Sequence, residues 1–273
     1  MRIGTKEFHT KDNTYIMGIL NVTPDSFSDG GRFQGVDAAL KRAEVMVQEG
    51  ADILDIGGES TRPGFTPVSE AEEMERILPI VEAVKKNIDI PISVDTYKSR
   101  VAEAAICAGA NLINDIWGLK ADARMAEVIA KYGVACCLMH NRDNTIYDSF
   151  FEDVKKDLQE SVAIAKRAGI AEECIILDPG VGFAKNYEQN IITIQNLDKL
   201  NQLGYPVLLG ASRKSVIGLT LDLPSEERLE GTLVTTVAAV QKGISFVRVH
   251  DIKENKRAIQ MANAIYMRGI NND

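Results

Sequence analysis

Short runs of contiguous apolar residues alternate along the chain with longer stretches whose apolar positions recur every three or four residues. The short runs, at 15–20, 53–56, 90–94, 112–113, 134–139, 174–177, 206–209 and 246–249, predict strands. Their unbroken apolar character predicts strands covered on both faces, as in a parallel sheet, since a half-exposed strand would alternate. Among the longer stretches, Ser69, Glu70, Ala71 and Glu72 spell a capping box, in which the serine hydroxyl takes the third helical N–H and Glu72 reaches back. The helix it opens is expected to run to about Asn87, with a kink at Pro79. Phe151, Val154, Leu158, Val162 and Ala165 keep one apolar face, and Gly169 follows where a left-handed cap fits. The stretches 230–242 and 253–266 predict the last two helices.

Eight strand–helix pairs in order predict an α/β fold, a single (β/α)8 TIM barrel domain over residues 1–273. An open doubly wound sheet would share the pattern, but no Gly-x-Gly-x-x-Gly follows the first strand, and 273 residues suit one closed barrel. The first nine residues are expected to add a short strand plugging the barrel bottom. No run approaches the ~18 apolar residues of a membrane span, and the first fifteen residues hold no secretion-type apolar stretch, so the expectation is a cytoplasmic enzyme with no membrane partner. A net charge of −8 argues against a nucleic-acid partner but leaves room for an anionic substrate gripped by local cations. Cys107, Cys136, Cys137 and Cys174 match no zinc spacing and read as small apolar filler, with Cys136 and Cys137 facing opposite sides of one strand.

The polar residues fall where strands end. Strand one ends at Asn21, two at Asp55, three at Asp95, four at Asn114 and Asp115, five at His140, six at Asp178, and eight at Arg248, Val249, His250 and Asp251. Strand seven leads into Ser212, Arg213, Lys214 and Ser215. A lone Asn or Asp at such a place is as readily a cap or turn. In a barrel, however, these ends meet at one mouth, where the chemistry of such folds is carried out.

The mouth divides by chemistry. Asp95, Asn114, Asp178 and Lys214 combine acceptors, an amide and a cation. Buried carboxylates need partners, and a planar heterocycle with adjacent N–H donors would supply them in parallel pairs. Thr61, Arg62, Ser212, Arg248 and His250 offer hydroxyls and cations suited to phosphate oxygens, near a helix start whose free N–H groups attract anions. The polar, glycine-bearing loops after strands one (21–31) and two (57–64) are long enough to be lids.

Taken together, these stretches resemble the dihydropteroate synthase family of folate-pathway pterin-binding enzymes. The resemblance rests on Met17 through Gly30, the 57–64 loop, Ser93-Val94-Asp95-Thr96, Ile113-Asn114-Asp115, Asp178-Pro179-Gly180-Val181-Gly182-Phe183, Ser212-Arg213-Lys214-Ser215 and Arg248-Val249-His250-Asp251. It implies condensation of 6-hydroxymethyl-7,8-dihydropterin diphosphate with 4-aminobenzoate to give dihydropteroate and diphosphate, in a homodimer using Mg2+. By the same resemblance Asp95, Asn114, Asp178 and Lys214 hold the pterin with Arg248 against its ring, and Asn21 contacts the metal. Thr61, Arg62, Ser212, Arg248 and His250 would grip the diphosphate. Phe183, Pro63, Phe27 and Ser215 would form the aminobenzoate pocket, and Asp25 and Asp29 in the first lid would join Asp95, Lys214 and Arg248 in catalysis. The loop from Asn141 to Ile146 departs from the family's Gly-Pro-containing pattern; none of the residues carried over lies in it, so the departure bears on rim contacts and loop dynamics. Three rival functions stay open on these residues: a pterin-dependent methyltransferase, a non-catalytic pterin-binding paralogue, and an aldolase using Lys214 as a Schiff base.

Overall fold

The computed structural model describes residues 1–22, 31–59 and 67–266, the side chains of 31–34 excepted. The chain opens with a two-stranded antiparallel hairpin, β1 (Arg2–Ile3) and β2 (Lys6–Glu7). Eight parallel strands follow among the described residues: β3 (Tyr15–Asn21), β4 (Ile53–Gly57), β5 (Ile92–Asp95), β6 (Leu112–Asp115), β7 (Ala135–Met139), β8 (Ile175–Asp178), β9 (Leu208–Leu209) and β10 (Phe246–Val249). They are hydrogen-bonded in the order β8-β7-β6-β5-β4-β3-β10-β9. A parallel bridge from Leu177 to Val207 joins the two ends, so the sheet closes into the expected barrel.

The helices between them are α1 (Gly31–Glu49), α2 (Glu70–Asn87), α3 (Ser99–Ala108), α4 (Met125–Tyr132), α5 (Phe150–Ala168), α6 (Tyr187–Gln195), α7 (Leu197–Leu200), α8 (Ser215–Leu221), α9 (Leu229–Gln241) and α10 (Ile252–Tyr266). Gly169 caps α5 at φ +90, as its position predicts. At α2 only half the capping box forms: Ser69 Oγ accepts from the Glu72 amide, while the Glu72 carboxylate pairs forward with Arg76. A partner one turn along competes for the carboxylate that would have reached back. The helix continues unbroken through Pro79.

Strand parity sorts the barrel into layers. Residues two apart share a face, and Met17, Ile53, Leu112, Ala135, Cys137, Ile176, Leu208 and Phe246 form one interior apolar cluster. Ile3 and Phe8, both almost fully buried, complete that cluster from the N-terminal hairpin. The plug is therefore real, though it is a hairpin and not a single strand. Intervening residues such as Leu54, Ile56, Val94, Ile113, Cys136 and Leu138 join the second cluster, shared with the helices. Cys136 and Cys137 thus do face opposite ways.

The apolar floor fixes what lies above it. Two residues beyond Ile53, Leu112, Ile176 and Phe246, on the same faces, come Asp55, Asn114, Asp178 and Arg248. The sheet register aligns Asn21 with Gly57, Gly57 with Asp95, and Asp95 with Asn114, one rung crossing four strands.

Candidate active site

Arg248 stands at the centre of this polar layer. Its Nε donates to Asp55 Oδ2 at 2.6 Å and its Nη2 to Asp95 Oδ2 at 2.8 Å. Asp55 is fully buried and also accepts from Ser93 Oγ at 2.5 Å and Asn114 Nδ2 at 3.3 Å. Two carboxyl groups thus share one guanidinium. Asp95 Oδ1 is buried with no hydrogen-bond partner among the described residues. A buried acceptor left in this state is costly unless a ligand donor completes it. Burial pushes Asp95 up to about 7; Arg248 opposes this and the charge of Asp55 adds to it.

Lys214, Asp178 and Arg248 gather around a bare stretch of backbone. A methyl group on Gly210 would lie 3.6 Å from Asp178 Oδ2, 3.7 Å from Lys214 Nζ and 3.9 Å from Arg248 Cβ. Lys214 Nζ donates to the Val181 carbonyl and sits over the Phe183 ring, 4.8 Å from its centroid. Burial draws Lys214 down to about 8, with Asp178 resisting, and burial raises Asp178 against the pull of Lys214. Both groups hold their charges less firmly than in water, as is common in binding clefts.

The segment that aims Lys214 inward is strained. Arg213 adopts φ +57, the left-handed region that non-glycine residues avoid. Its amide donates to Thr232 Oγ1, its carbonyl accepts from Arg228, and its guanidinium makes a two-pronged ion pair with Asp251. With Arg213 pinned outward, Lys214 turns into the barrel and Ser215 starts α8, exposed. Ser212 Oγ meets His250 Nδ1 at 3.0 Å and accepts from the His250 amide at 3.2 Å, bringing two of the expected anion-binding residues together.

The structure therefore brings Asp95, Asn114, Asp178, Lys214 and Arg248 into one polar layer, with Phe183 against Lys214 and the Ser212–His250 pair near the same strand ends. Asn21 ends β3, its Oδ1 3.9 Å from a methyl placed on Gly57, whose other neighbour is Asp95. Phe27, Asp25, Asp29, Thr61, Arg62 and Pro63 lie outside the described residues, as does most of each expected lid. The foot of the second loop is visible at Glu59, which accepts from Lys98 Nζ, the Val68 amide and Tyr97 Oη.

Some strand-end residues are held for other purposes. Asp115 accepts from the Trp117 and Leu119 amides and closes a turn, as a capping role predicts. His140 is buried, with Nε2 3.1 Å from Asp157 and Nδ1 2.8 Å from Lys185 Nζ. Burial lowers His140 to about 3, so it is neutral; Nδ1 then accepts from Lys185 and Nε2–H donates to Asp157. In the divergent loop, Arg142 Nε binds Asp157 Oδ2 at 2.5 Å and its guanidinium lies over Tyr147. Asp55, Ser93 and Lys185 were absent from the expected site set. Parity would have found Asp55, which shares its face with Ile53 and Gly57.

Comparison with known proteins agrees with this geometry. Residues 17–250 match the family model described as pterin binding enzyme. The chain is 60% identical to a dihydropteroate synthase of Clostridium beijerinckii, over 98% of this chain and all of that one. Among solved structures it resembles a dihydropteroate synthase of Clostridium difficile determined in the presence of pteroic acid, with TM-score 0.93 and 51% identity, covering 96% of this chain and 100% of that one. It also resembles a Xanthomonas albilineans dihydropteroate synthase with 4-aminobenzoic acid, with TM-score 0.89 and 40% identity over 94% of each chain. A match of this extent, on a barrel whose polar layer carries the family's motifs, places the chain in the pterin binding enzyme family.

Proposed function

We propose that the chain catalyses the dihydropteroate synthase reaction, joining 6-hydroxymethyl-7,8-dihydropterin diphosphate to 4-aminobenzoate with release of diphosphate. The observation that carries this reading is the unpartnered Oδ1 of Asp95, buried beside Asn114 in a layer that also holds Asp178 and Lys214. A pterin edge presents adjacent N–H donors, which is what such an acceptor lacks. The pteroic acid and 4-aminobenzoic acid structures of the relatives support the same substrate pair.

In this reading Asp95, Asn114, Asp178 and Lys214 hold the pterin, and Arg248 lies along its ring. Phe183 and Ser215 flank the aminobenzoate with Phe27 and Pro63, while Ser212, His250 and Arg248 take the diphosphate with Thr61 and Arg62. The bond from the exocyclic carbon to diphosphate oxygen breaks early, its electron pair leaving with diphosphate. Asp95 and Asp178 offset the positive charge left on the pterin. The aromatic amine then forms the carbon–nitrogen bond through its lone pair, and its surplus proton passes to water or diphosphate. Asp25 and Asp29 are assigned to closure over the reacting carbon.

Magnesium fits the residues present. Asn21 supplies a hard amide oxygen next to Asp95, and among the described residues no cluster of three or more His, Cys, Asp and Glu offers a full protein cage. Magnesium takes few protein oxygens and keeps several waters beside substrate phosphates, and the Asn21 oxygen would be its protein contact there. When bound, the ion would supply Lewis-acid neutralisation of diphosphate charge.

A homodimer and a cytoplasmic location belong to the same reading. Leu219, Val234, Met261 and Ile265 are exposed on the neighbouring helices α8, α9 and α10, apolar residues that a second copy of the chain would cover. No helix among the described residues is long and apolar enough to cross a membrane. Coupled detection of diphosphate, with each substrate omitted in turn, tests the activity. Release that requires both substrates supports it, and release without 4-aminobenzoate contradicts it.

A further inference from the structure

The turn between β8 and α6 carries Asp178 at its start and Phe183 near its middle, and it is fastened from within by one side chain. Lys185 Nζ donates to the Gly180 carbonyl at 3.1 Å, the Phe183 carbonyl at 3.1 Å and His140 Nδ1 at 2.8 Å. Burial draws Lys185 down to about 7, with Asp178 opposing, and in its protonated form it has three protons and no acceptor, so these three partners use it completely. Lys185 is only 9% exposed, and burying a cation is costly unless its geometry is satisfied.

The surroundings leave that ammonium little freedom. His140 is itself fixed by Asp157, which Arg142 holds in place. Gly180 stands so close to β7 that a Cβ there would come within 2.1 Å of the His140 carbonyl. The far side of the turn is tied by the Gly182 amide to Asn190 Oδ1 at 2.6 Å and by Tyr147 Oη to the Ala184 carbonyl at 2.7 Å. Asn186 and Gln189 then close a reciprocal capping box that starts α6 directly after Lys185. Asp178 has anchorage of its own, through the His140 amide to its carbonyl and the Gly180 amide to Oδ1. Phe183 keeps an amide bond to the Gly180 carbonyl at 3.0 Å, but both that carbonyl and its own accept from Lys185, so its placement leans on the lysine from two sides.

We propose that Lys185 is a positioning residue for the second substrate: it holds the 180–184 turn so that the Phe183 ring lies beneath Lys214 Nζ and forms one wall of the aminobenzoate pocket. This rests on the synthase reading above. Removing the ammonium frees Phe183 more than it frees Asp178, so aminobenzoate recognition suffers and pterin recognition largely does not.

The test compares the full-length protein with Lys185→Met and Lys185→Arg, each checked for a cooperative thermal transition. Diphosphate release is measured against 4-aminobenzoate at saturating dihydropterin diphosphate and Mg2+, and the affinity for dihydropterin diphosphate is measured by calorimetry. Lys185→Met is expected to raise KM for 4-aminobenzoate about tenfold or more, with kcat and pterin Kd each changed by less than about threefold. Lys185→Arg keeps the charge but not the three-pronged geometry, and about a threefold rise in the same KM is expected. If Lys185→Met does not fold, the arginine variant decides. An unchanged aminobenzoate KM in the folded variants, or an equal loss of pterin affinity, overturns the inference. Wild-type protein that releases no diphosphate overturns the synthase reading itself, a result distinguishable from either.

Discussion

Arg248 Nη2 lies 2.8 Å from Asp95 Oδ2, while the other oxygen of the same carboxylate stays buried and without a partner among the described residues. The guanidinium therefore fixes Asp95 in place and leaves one acceptor for a ligand. The pterin assignment builds on that division, and several consequences can be measured.

Lys214→Ala and Asp178→Ala each remove one oriented charge from the layer around Gly210. Losing one such group typically costs about 3 kcal/mol of barrier, or a rate factor of about 10². Turnover should fall by that order while circular dichroism shows the fold retained. Near-normal turnover in a folded Asp178→Ala protein would contradict the pterin assignment.

The acidity of the site sets a pH window. Asp95 is raised to about 7 and Lys214 lowered to about 8, so both carry their charges together mainly between those values. Below the window Asp95 is protonated, and above it Lys214 is neutral. Calorimetric titration with dihydropterin diphosphate should give tightest binding near pH 7–8, and Asp95→Asn should flatten the acid limb. The sign for stability is opposite: the folded chain keeps the Asp95 proton over a range, from 3.8 to about 7, in which the unfolded chain has released it. The wild-type contribution of Asp95 to stability is therefore largest at low pH and falls as pH rises towards 7. Asp95→Asn should remove this component from the dependence of Tm on pH.

Asp55 makes no expected substrate contact, yet it accepts from Ser93, Asn114 and Arg248 together. Breaking one side of a buried ion pair commonly costs about 3–5 kcal/mol. Asp55→Asn should lower stability by a few kcal/mol in urea titrations. It should also move the acid limb of pterin binding to lower pH, since the Asp55 charge helps keep Asp95 protonated.

Much of the barrel is legible in the sequence, while the long-range contacts of its polar layer are not. Contiguous apolar runs found all eight strands, and parity explains why Ile53 lies in the floor and Asp55 above it. Edges are less legible: β9 is only Leu208–Leu209, and Val207 before it makes an isolated bridge to Leu177 while its carbonyl accepts from the Ser245 and Phe246 amides. The Arg248–Asp55 pairing spans 193 residues, and the Lys185–His140 contact spans 45, so no local pattern could announce either. The inward aim of Lys214 likewise follows from Arg213 at φ +57, a conformation fixed by Thr232, Arg228 and Asp251 and not by its own propensity.

The hairpin plug makes a separate claim about stability. Phe8 packs against Tyr15 and Phe246, with ring centroids 4.8 Å and 5.6 Å away. Phe8→Ala should cost about 3–5 kcal/mol, the usual range for a buried phenylalanine. KM for both substrates should be unchanged, because the floor separates the plug from the polar layer. A large KM change at full stability would place the site elsewhere.

The exposed face of α8, α9 and α10 bears on assembly. Val234→Lys together with Met261→Lys should turn a sedimenting dimer into a monomer, and a wild-type protein already monomeric at micromolar concentration would contradict the dimer.

The central claim is tested most directly by determining the structure with dihydropterin diphosphate bound. The account expects the pterin ring between Asp95 and Asp178, with a ring N–H donating to Asp95 Oδ1 and the ring edge within reach of Asn114 and Lys214. A pterin bound outside this polar layer, with Asp95 Oδ1 still unpartnered, would contradict it.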